Sequence, residues 1–386
     1  MRHRIFTEHD PTERNRRPRV TGGSSGADSN GREERSKNMK RALALTSLAV
    51  ATVAVAVVAG HAQPASAKQT AGSLVGTGST FVYPLISKWI PAVDKAYGIK
   101  ITYSPTGSGT GIAQVTARTV DFGATDAPLS PDQLKACNGC VVIPWGLAGL
   151  SVPYNIPGIA GRLRLDGPTL ALIYLGKITN WNARAIQRLN PSLKLPDLRI
   201  TPVYRSDSSG STYAFTEFLS SVSPQWRKQV GFNTVVNFPA GTGARGSSGV
   251  TGVVGSTEGA VTYVDAAYAI ANKIQFALIK NRAGGFRTPG VRDIQAALSQ
   301  LPKKIKSLKQ LKIVDPPKKA GKKAYPISTF TYVVVPTKSG SKAADLRKFL
   351  TWSVTQGQKF GSPLYFAPLP ANVQQFAGRQ IVKIKS

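Results

Sequence analysis

From residue 72 onward, apolar positions recur at two different periods, and the alternation between them predicts the architecture. Leu85, Trp89, Val93 and Tyr97 return every four residues behind Pro84, which suits a first helical turn, so a helix is predicted there. Residues 100–103 read as a short strand, 107–111 as a turn, Ile112, Val115 and Thr119 as a second helical face, and 120–124 as strand again. Further on, 169–175 and 183–189 read as helices, 199–204 as a strand, 259–264 as another strand, 327–336 as β-rich and 343–356 as helical. Phe215, Phe218, Leu219 and Val222 fall at i, i+3, i+4 and i+7 and predict a helix just after residue 211. Residues 141–152 form a long apolar stretch carrying Pro144 and several glycines, suited to crossing between domains. The alternation of strands and helices predicts an α/β sheet with helices on its faces.

The first 67 residues follow other rules. Residues 1–38 are polar, Arg-rich and without apolar periodicity, and read as a disordered leader, with Met39 the better start. Residues 42–60 are an unbroken run of small apolar side chains behind Met39-Lys40-Arg41, and Ala65-Ser66-Ala67 follows as a cleavage site. Residues 39–67 therefore read as a secretory signal, or as a membrane anchor if 42–60 is retained. No cysteine stands near the cleavage site for lipid attachment. The mature chain would be 68–386, enough for two domains.

Setting that segment aside changes the chemistry. All three histidines, His3, His9 and His61, lie within it, so the mature chain cannot run a Ser-His-Asp or Cys-His mechanism and lacks the commonest metal ligand. No cofactor is called for. What remains holds 39 basic and 13 acidic residues, a net charge of +26, which gathers small anions and any polyanionic surface. Residues 302–325 carry nine lysines against one acid, Asp315, and read as a solvated basic loop that could also touch wall polymers, anionic lipid or nucleic acid. The only cysteines, Cys137 and Cys140, stand in Cys-Asn-Gly-Cys. Outside the cell a local disulfide closing the Asn-Gly turn is expected, with a catalytic dithiol and free thiols as the alternatives.

Three turns share one composition. Gly76-Thr77-Gly78-Ser79-Thr80-Phe81, Thr106-Gly107-Ser108-Gly109-Thr110 and Arg205-Ser206-Asp207-Ser208-Ser209-Gly210-Ser211 each lead into an amphipathic helix. Each reads either as an ordinary capped helix start or as part of an anion socket built from backbone N–H groups, hydroxyls and, in the third, a permanently charged guanidinium. In open α/β sheets such strand-to-helix turns gather at one edge. Asp126 reads either as a turn residue before Ser130-Pro131 or as part of the same socket. A carboxylate there makes sense if the anion carries a proton, because it accepts from HPO4(2−) and rejects fully ionised sulfate. Asp207 reads as a helix cap or as a partner that steadies Arg205. Gly241, Gly243 and Gly246 fit G-x-G-x-x-G literally, but Ser247-Ser248-Gly249 follows where an apolar helix start is needed, so a dinucleotide site is not expected. The five tryptophans are dispersed in apolar patterns and read as core, not as a base-stacking platform, and no nucleic-acid partner is expected.

The stretches GTGSTFVYPLISKW, YSPTGSGTGIAQV, TVDFGATDAPLS, LDGPTLALIYLGKITNW, YRSDSSGST, GTGARGSSGV, GAVTYVDAAYA and FAPLPANV are collinear from about residue 72 to 376. Together they resemble the phosphate-binding protein family of the bacterial phosphate ABC importer. The resemblance implies a type II periplasmic-binding-protein fold: two α/β domains, each a mixed sheet flanked by helices, with the ligand in the cleft between them. Domain I would be 68–147 plus 327–386, and domain II 148–326. It implies a non-enzymatic, exported, monomeric receptor that captures inorganic phosphate and delivers it to a membrane permease. The family's ligand groups fall on Thr80, the Phe81 N–H, Ser108 and Asp126 from one domain, and on Arg205, Ser209, Gly210 and Ser211 from the other. Where Ser211 stands the family usually has threonine, and Thr212 follows at once; the Gly241–Gly246 segment resembles a cleft-side loop of the same family. Two rival readings are a wall-associated polyanion-binding protein on the same scaffold and a hydrolase of phosphate esters.

Overall fold

The computed structural model describes residues 72–386; the leader, signal and anchor expectations for 1–67 lie outside them. In chain order the elements are β1 (Ser73–Gly78), α1 (Tyr83–Tyr97), β2 (Lys100–Ser104), α2 (Ser108–Thr116), β3 (Phe122–Thr125), α3 (Pro131–Ala136), β4 (Cys140–Ser151), β5 (Arg164–Leu165), α4 (Gly167–Tyr174) and α5 (Arg184–Leu189). They continue with β6 (Thr201–Arg205), α6 (Gly210–Val222), α7 (Pro224–Gln229), β7 (Thr242–Ala244), α8 (Gly246–Ser256), β8 (Ala260–Val261), β9 (Val264–Asp265) and α9 (Ala266–Ala271). The last are β10 (Leu278–Lys280), β11 (Phe286–Arg287), α10 (Val291–Ala297), β12 (Ser328–Pro336), α11 (Ala343–Val354) and α12 (Ala371–Ile381).

A six-stranded mixed sheet runs β2-β1-β3-β12-β4-β9, with β1 parallel to β2 and β3. β12 lies antiparallel between β3 and β4, so this sheet is completed by a strand from near the C-terminus. β4 and β12 pair over almost their whole lengths, and the register slips between Thr331 and Tyr332, opposite Pro144 and Gly146. That irregularity explains how proline sits in a central strand: it occupies a bulge, where one ladder bond is absent anyway. The other strands form two three-stranded sheets, β7-β6-β8 all parallel and β11-β10-β5 mixed. Pro153 and Tyr154, just beyond β4, bridge to Phe276 and Val261 and so stitch these two sheets together.

Apolar packing follows the periodicity. Leu85, Trp89 and Val93 of α1 are buried while Tyr97 is exposed. Trp89 meets Trp145 and Trp352 edge-on, and its indole N–H donates to the Gly357 carbonyl. All five tryptophans are buried. Burying such a side chain contributes about 2–3 kcal/mol of transfer free energy, so these clusters anchor the sheet ends that carry the polar turns.

Several expectations change. The 107–111 turn shrinks to Gly107, whose φ of +103° reverses the chain in one residue, so that α2 starts at Ser108. The 259–264 strand splits in two, because Thr262 and Tyr263 turn their hydroxyls to Val203, Arg205 and Thr212. A helix does follow the Gly241–Gly246 segment, since α8 begins at Gly246. The basic loop is only half solvated: Ile305, Leu311, Ile313 and Tyr325 are buried beneath its exposed lysines. Cys137 and Cys140 are joined by a disulfide that links the end of α3 to the start of β4. The Arg118 guanidinium donates to the Cys137 and Asn138 carbonyls and lies against both sulfurs.

Candidate anion-binding site

The polar turns gather because they all leave the C-terminal ends of parallel strands. Gly78 and Ala124 are register partners at the ends of β1 and β3, and Arg205 pairs with Ala244 at the ends of β6 and β7. Such edges present backbone N–H groups and helix N-termini that have no partner within their own element.

Asp126 lies at the centre, 2% exposed. The Ser79 hydroxyl lies 2.6 and 2.7 Å from its two carboxylate oxygens and itself accepts from the Phe81 N–H at 3.1 Å. Burial pushes the Asp126 carboxyl up to about 6; hydrogen bonds from Ser79, Thr331 and Ser108 and the Arg205 charge pull the other way. From the opposite side Gly210 packs directly on it: a Cβ at residue 210 would stand 2.6 Å from the Asp126 backbone nitrogen and Cβ. Only glycine permits that approach. The Gly210 N–H donates to Ser108 Oγ at 3.1 Å, and the Gly109 N–H donates to the Ser208 carbonyl at 3.1 Å.

Arg205 is buried with its charge held in a fork. Nε donates to Asp207 Oδ1 at 2.7 Å and Nη2 to Oδ2 at 2.5 Å, which leaves Nη1 for a further acceptor. Asp207 also accepts from the Gly246 N–H at 3.0 Å, the start of α8. Burial acts to raise the Asp207 carboxyl, but Arg205 and Gly246 outweigh it and hold it below the usual carboxylate range. Of the two roles open to Asp207, the structure shows the partner; the cap of α6 is Ser209, whose hydroxyl accepts from the Thr212 N–H.

The hydroxyls divide clearly. Thr80 Oγ1 and Ser247 Oγ share a hydrogen bond of 2.7 Å, and the Ser247 N–H donates to Thr80 Oγ1. Thr212 Oγ1 is bonded to the Tyr263 hydroxyl at 2.7 Å. Ser211 Oγ, by contrast, is buried and has no hydrogen-bond partner among the described residues. A buried unpartnered hydroxyl costs about 1–3 kcal/mol, so its presence beside Gly210 marks a place where an acceptor or donor is needed.

The cluster thus brings Thr80, Phe81, Ser108, Asp126, Arg205, Ser209, Gly210 and Ser211 into one connected region, with the Phe81 N–H engaged by Ser79. Sequence reasoning missed Ser79, Ser247, Tyr263 and Tyr268, whose hydroxyl donates to the Thr80 carbonyl at 2.9 Å. It also missed Asp265, whose Oδ2 is buried without a partner and whose carboxyl is raised by burial and by the Asp126 charge. Ser247 lies in the cleft-side loop that the sequence did suggest, a fourth Gly/Ser turn between a strand and a helix. Among the described residues no group of three or more His, Cys, Asp or Glu could hold a metal ion.

A family model described as a PBP superfamily domain matches residues 63–356. The chain is 39% identical over 314 residues to the phosphate-binding protein PstS of Xylella fastidiosa, covering 80% of this chain and 85% of that one. It is 34% identical over 306 residues to the PstS of Haemophilus influenzae, covering 78% and 90%. Among solved structures, a high-affinity periplasmic phosphate-binding protein, PfluDING, bound with phosphate superposes with a TM-score of 0.65 at 21% identity, covering 79% and 92%.

Proposed function

The chain belongs to the PstS phosphate-binding proteins of the PBP superfamily, and from that premise we propose that it captures inorganic phosphate and delivers it to the membrane permease of an ABC importer. The observation that carries the reading is a buried guanidinium and a buried carboxylate held in one cluster with the unpartnered Ser211 hydroxyl. Arg205, fixed by Asp207, neutralises an oxyanion through its remaining donor. Asp126 accepts a hydrogen bond from the P–OH group that phosphate carries near neutral pH and sulfate does not. Ser211 supplies the last hydroxyl, because Thr212 is already engaged by Tyr263. Thr80, Ser108 and Ser209 offer hydroxyls, and the Phe81 and Gly210 N–H groups complete the set by exchanging their bonds to Ser79 and Ser108 for bonds to the ion.

On this reading the described residues 72–147 with 327–386 serve as one jaw and 148–326 as the other, and the Thr80–Ser247, Ser108–Gly210 and Gly109–Ser208 bonds would join them. Closure of this kind excludes water and strengthens every charge-assisted bond inside. The protein acts as a receptor, not as a catalyst, outside the cytoplasm. Export rests on the signal-like segment 39–67; among the described residues no helix is long and apolar enough to cross a membrane.

Calorimetric titration of the phosphate-free protein tests the reading. Phosphate is expected to bind tightly and sulfate weakly; equal affinity for the two ions, or binding of neither, would overturn it.

A further inference from the structure

We propose that the lysine-rich segment 302–325 is a rigid docking surface for a linear phosphodiester polymer of the cell envelope, separate from the anion cluster. Every exposed residue of the segment is lysine except Ser307. Its one acid, Asp315, turns inward, where Arg282 and the Ser221 hydroxyl hold it, so the outer face is left positive. The nearest outside acid to any of the nine lysines in an ion pair is Glu217, a loose 3.9 Å from Lys312. Arg287, which donates to the Lys322 carbonyl, extends the same face, while Asp293 beside Arg287 and Lys323 is its local exception.

The segment is held in place. Its buried Ile305, Leu311, Ile313 and Tyr325 pin it from within. The Asn281 side chain donates to the carbonyls of Lys322 and Ala324, Asn372 donates to Pro302, and Arg379 donates to Ile305. A fixed array of charges binds a polyanion with less loss of chain entropy than a floppy tail would.

The composition of the exposed face selects the partner. With no exposed aliphatic side chain it has nothing to insert into a lipid bilayer, and with no exposed aromatic it offers no platform for bases. Within 302–325 every exposed cation is lysine, which lacks the planar fork that recognises a particular phosphate geometry. Hydrated point charges in series suit a flexible chain of repeating phosphodiesters, bound through counterion release. Only the envelope as source rests on the export reading; the chemistry does not.

The test uses the purified protein and soluble poly(glycerol phosphate) as probe, with binding followed by fluorescence anisotropy across a salt series. Polymer binding is expected to weaken steeply with salt. The variant Lys303→Glu, Lys304→Glu, Lys306→Glu, Lys309→Glu is expected to bind the polymer at least tenfold more weakly, with a log–log salt slope shallower by about 3, at ~0.7 per lost contact. Its titration with inorganic phosphate is expected to be unchanged, which separates loss of the surface from loss of the fold or of the phosphate site. If that variant loses phosphate binding too, Lys318→Gln, Lys319→Gln, Lys322→Gln, Lys323→Gln is read instead, and an unchanged salt slope there overturns the proposal. Absence of polymer binding at low salt, or tighter binding to phosphatidylglycerol vesicles or to single-stranded DNA, also overturns it.

Discussion

Asp126→Asn separates two consequences of placing a carboxylate inside an anion site. The substitution keeps the shape and one acceptor for the Ser79 hydroxyl, and it removes the charge. In the folded, ligand-free protein the carboxyl titrates near 6, above an ordinary aspartate, so the folded state holds its proton more tightly than the unfolded chain does. The sign follows: this group costs no stability below about pH 4, and the cost grows as pH rises to about 6 and then stays constant. At pH 7 it amounts to about 3 kcal/mol. At ~2.1 cal/mol/K of unfolding entropy per residue over the described chain, that corresponds to roughly 4–5 °C in Tm. Phosphate-free Asp126→Asn is therefore expected to melt about that much higher than wild type at pH 7, by circular dichroism, and at the same temperature near pH 4.

Binding should move the other way. An amide at residue 126 offers a donor where only an acceptor stood, so sulfate affinity is expected to rise, by about 1–3 kcal/mol or roughly five- to 150-fold, while phosphate affinity falls. A variant no more stable than wild type at pH 7, or equally stabilised at pH 4 and pH 7, would refute the buried-charge account. Unaltered discrimination between phosphate and sulfate would refute the acceptor account, even with the stability gain intact. The two arms can fail separately, which tells whether Asp126 is a strained bystander or the selective element.

Ser211→Ala should weaken phosphate binding by roughly tenfold or more with no loss of stability, because its hydroxyl has no intramolecular partner; Thr212→Val should instead cost about 1 kcal/mol of stability through the Tyr263 bond, measured by denaturant unfolding. Gly210→Ala places a methyl 2.6 Å from Asp126 and is expected to abolish measurable phosphate binding in the same titration. Asp207→Asn should lower phosphate affinity and cost about 3 kcal/mol of stability, since it strips a buried guanidinium of its charge partner. Because Asp207 sits below the usual carboxylate range, its contribution is present above about pH 4 and is lost as pH falls further. Replacing Cys137 and Cys140 by serine should cost about 2 kcal/mol, as expected for so short a loop, and leave phosphate affinity in place.

Most of the scaffold was legible because it depends on local period. The helical spacing of apolar residues in α1 and α6 and the proline starts of α1 and α3 are contained within a few turns of chain. Where prediction slipped, a single distant contact was responsible. Tyr263 breaks what reads as one strand because its hydroxyl is drawn toward Arg205 and Thr212, dozens of residues earlier. Residues 302–325 read as wholly solvated because nine lysines mask the inward-facing isoleucines, leucine and tyrosine, whose spacing follows no regular period.

The site divides along the same line. Arg205 and Asp207 could be paired from sequence because a single residue separates them, whereas the chemistry of Asp126 left it open between a turn residue and a socket, and only the family resemblance put it among the ligand groups. The junctions across the cluster were not legible. Thr80 and Ser247 are 167 residues apart, and nothing in either turn specifies the other. What the turns do specify is strand ends: each Gly/Ser segment follows a parallel strand, and β-sheet register then brings the ends together. Composition at the turn and topology of the sheet are thus separate sources of information, and a binding site appears only where both apply. The Gly241–Gly249 turn shows the consequence. It carries nothing as a nucleotide motif, but as a cleft-side loop and a fourth strand-to-helix turn beside β6 it supplies Gly246 to Asp207 and Ser247 to Thr80, the two contacts that tie the guanidinium clamp to the start of α1.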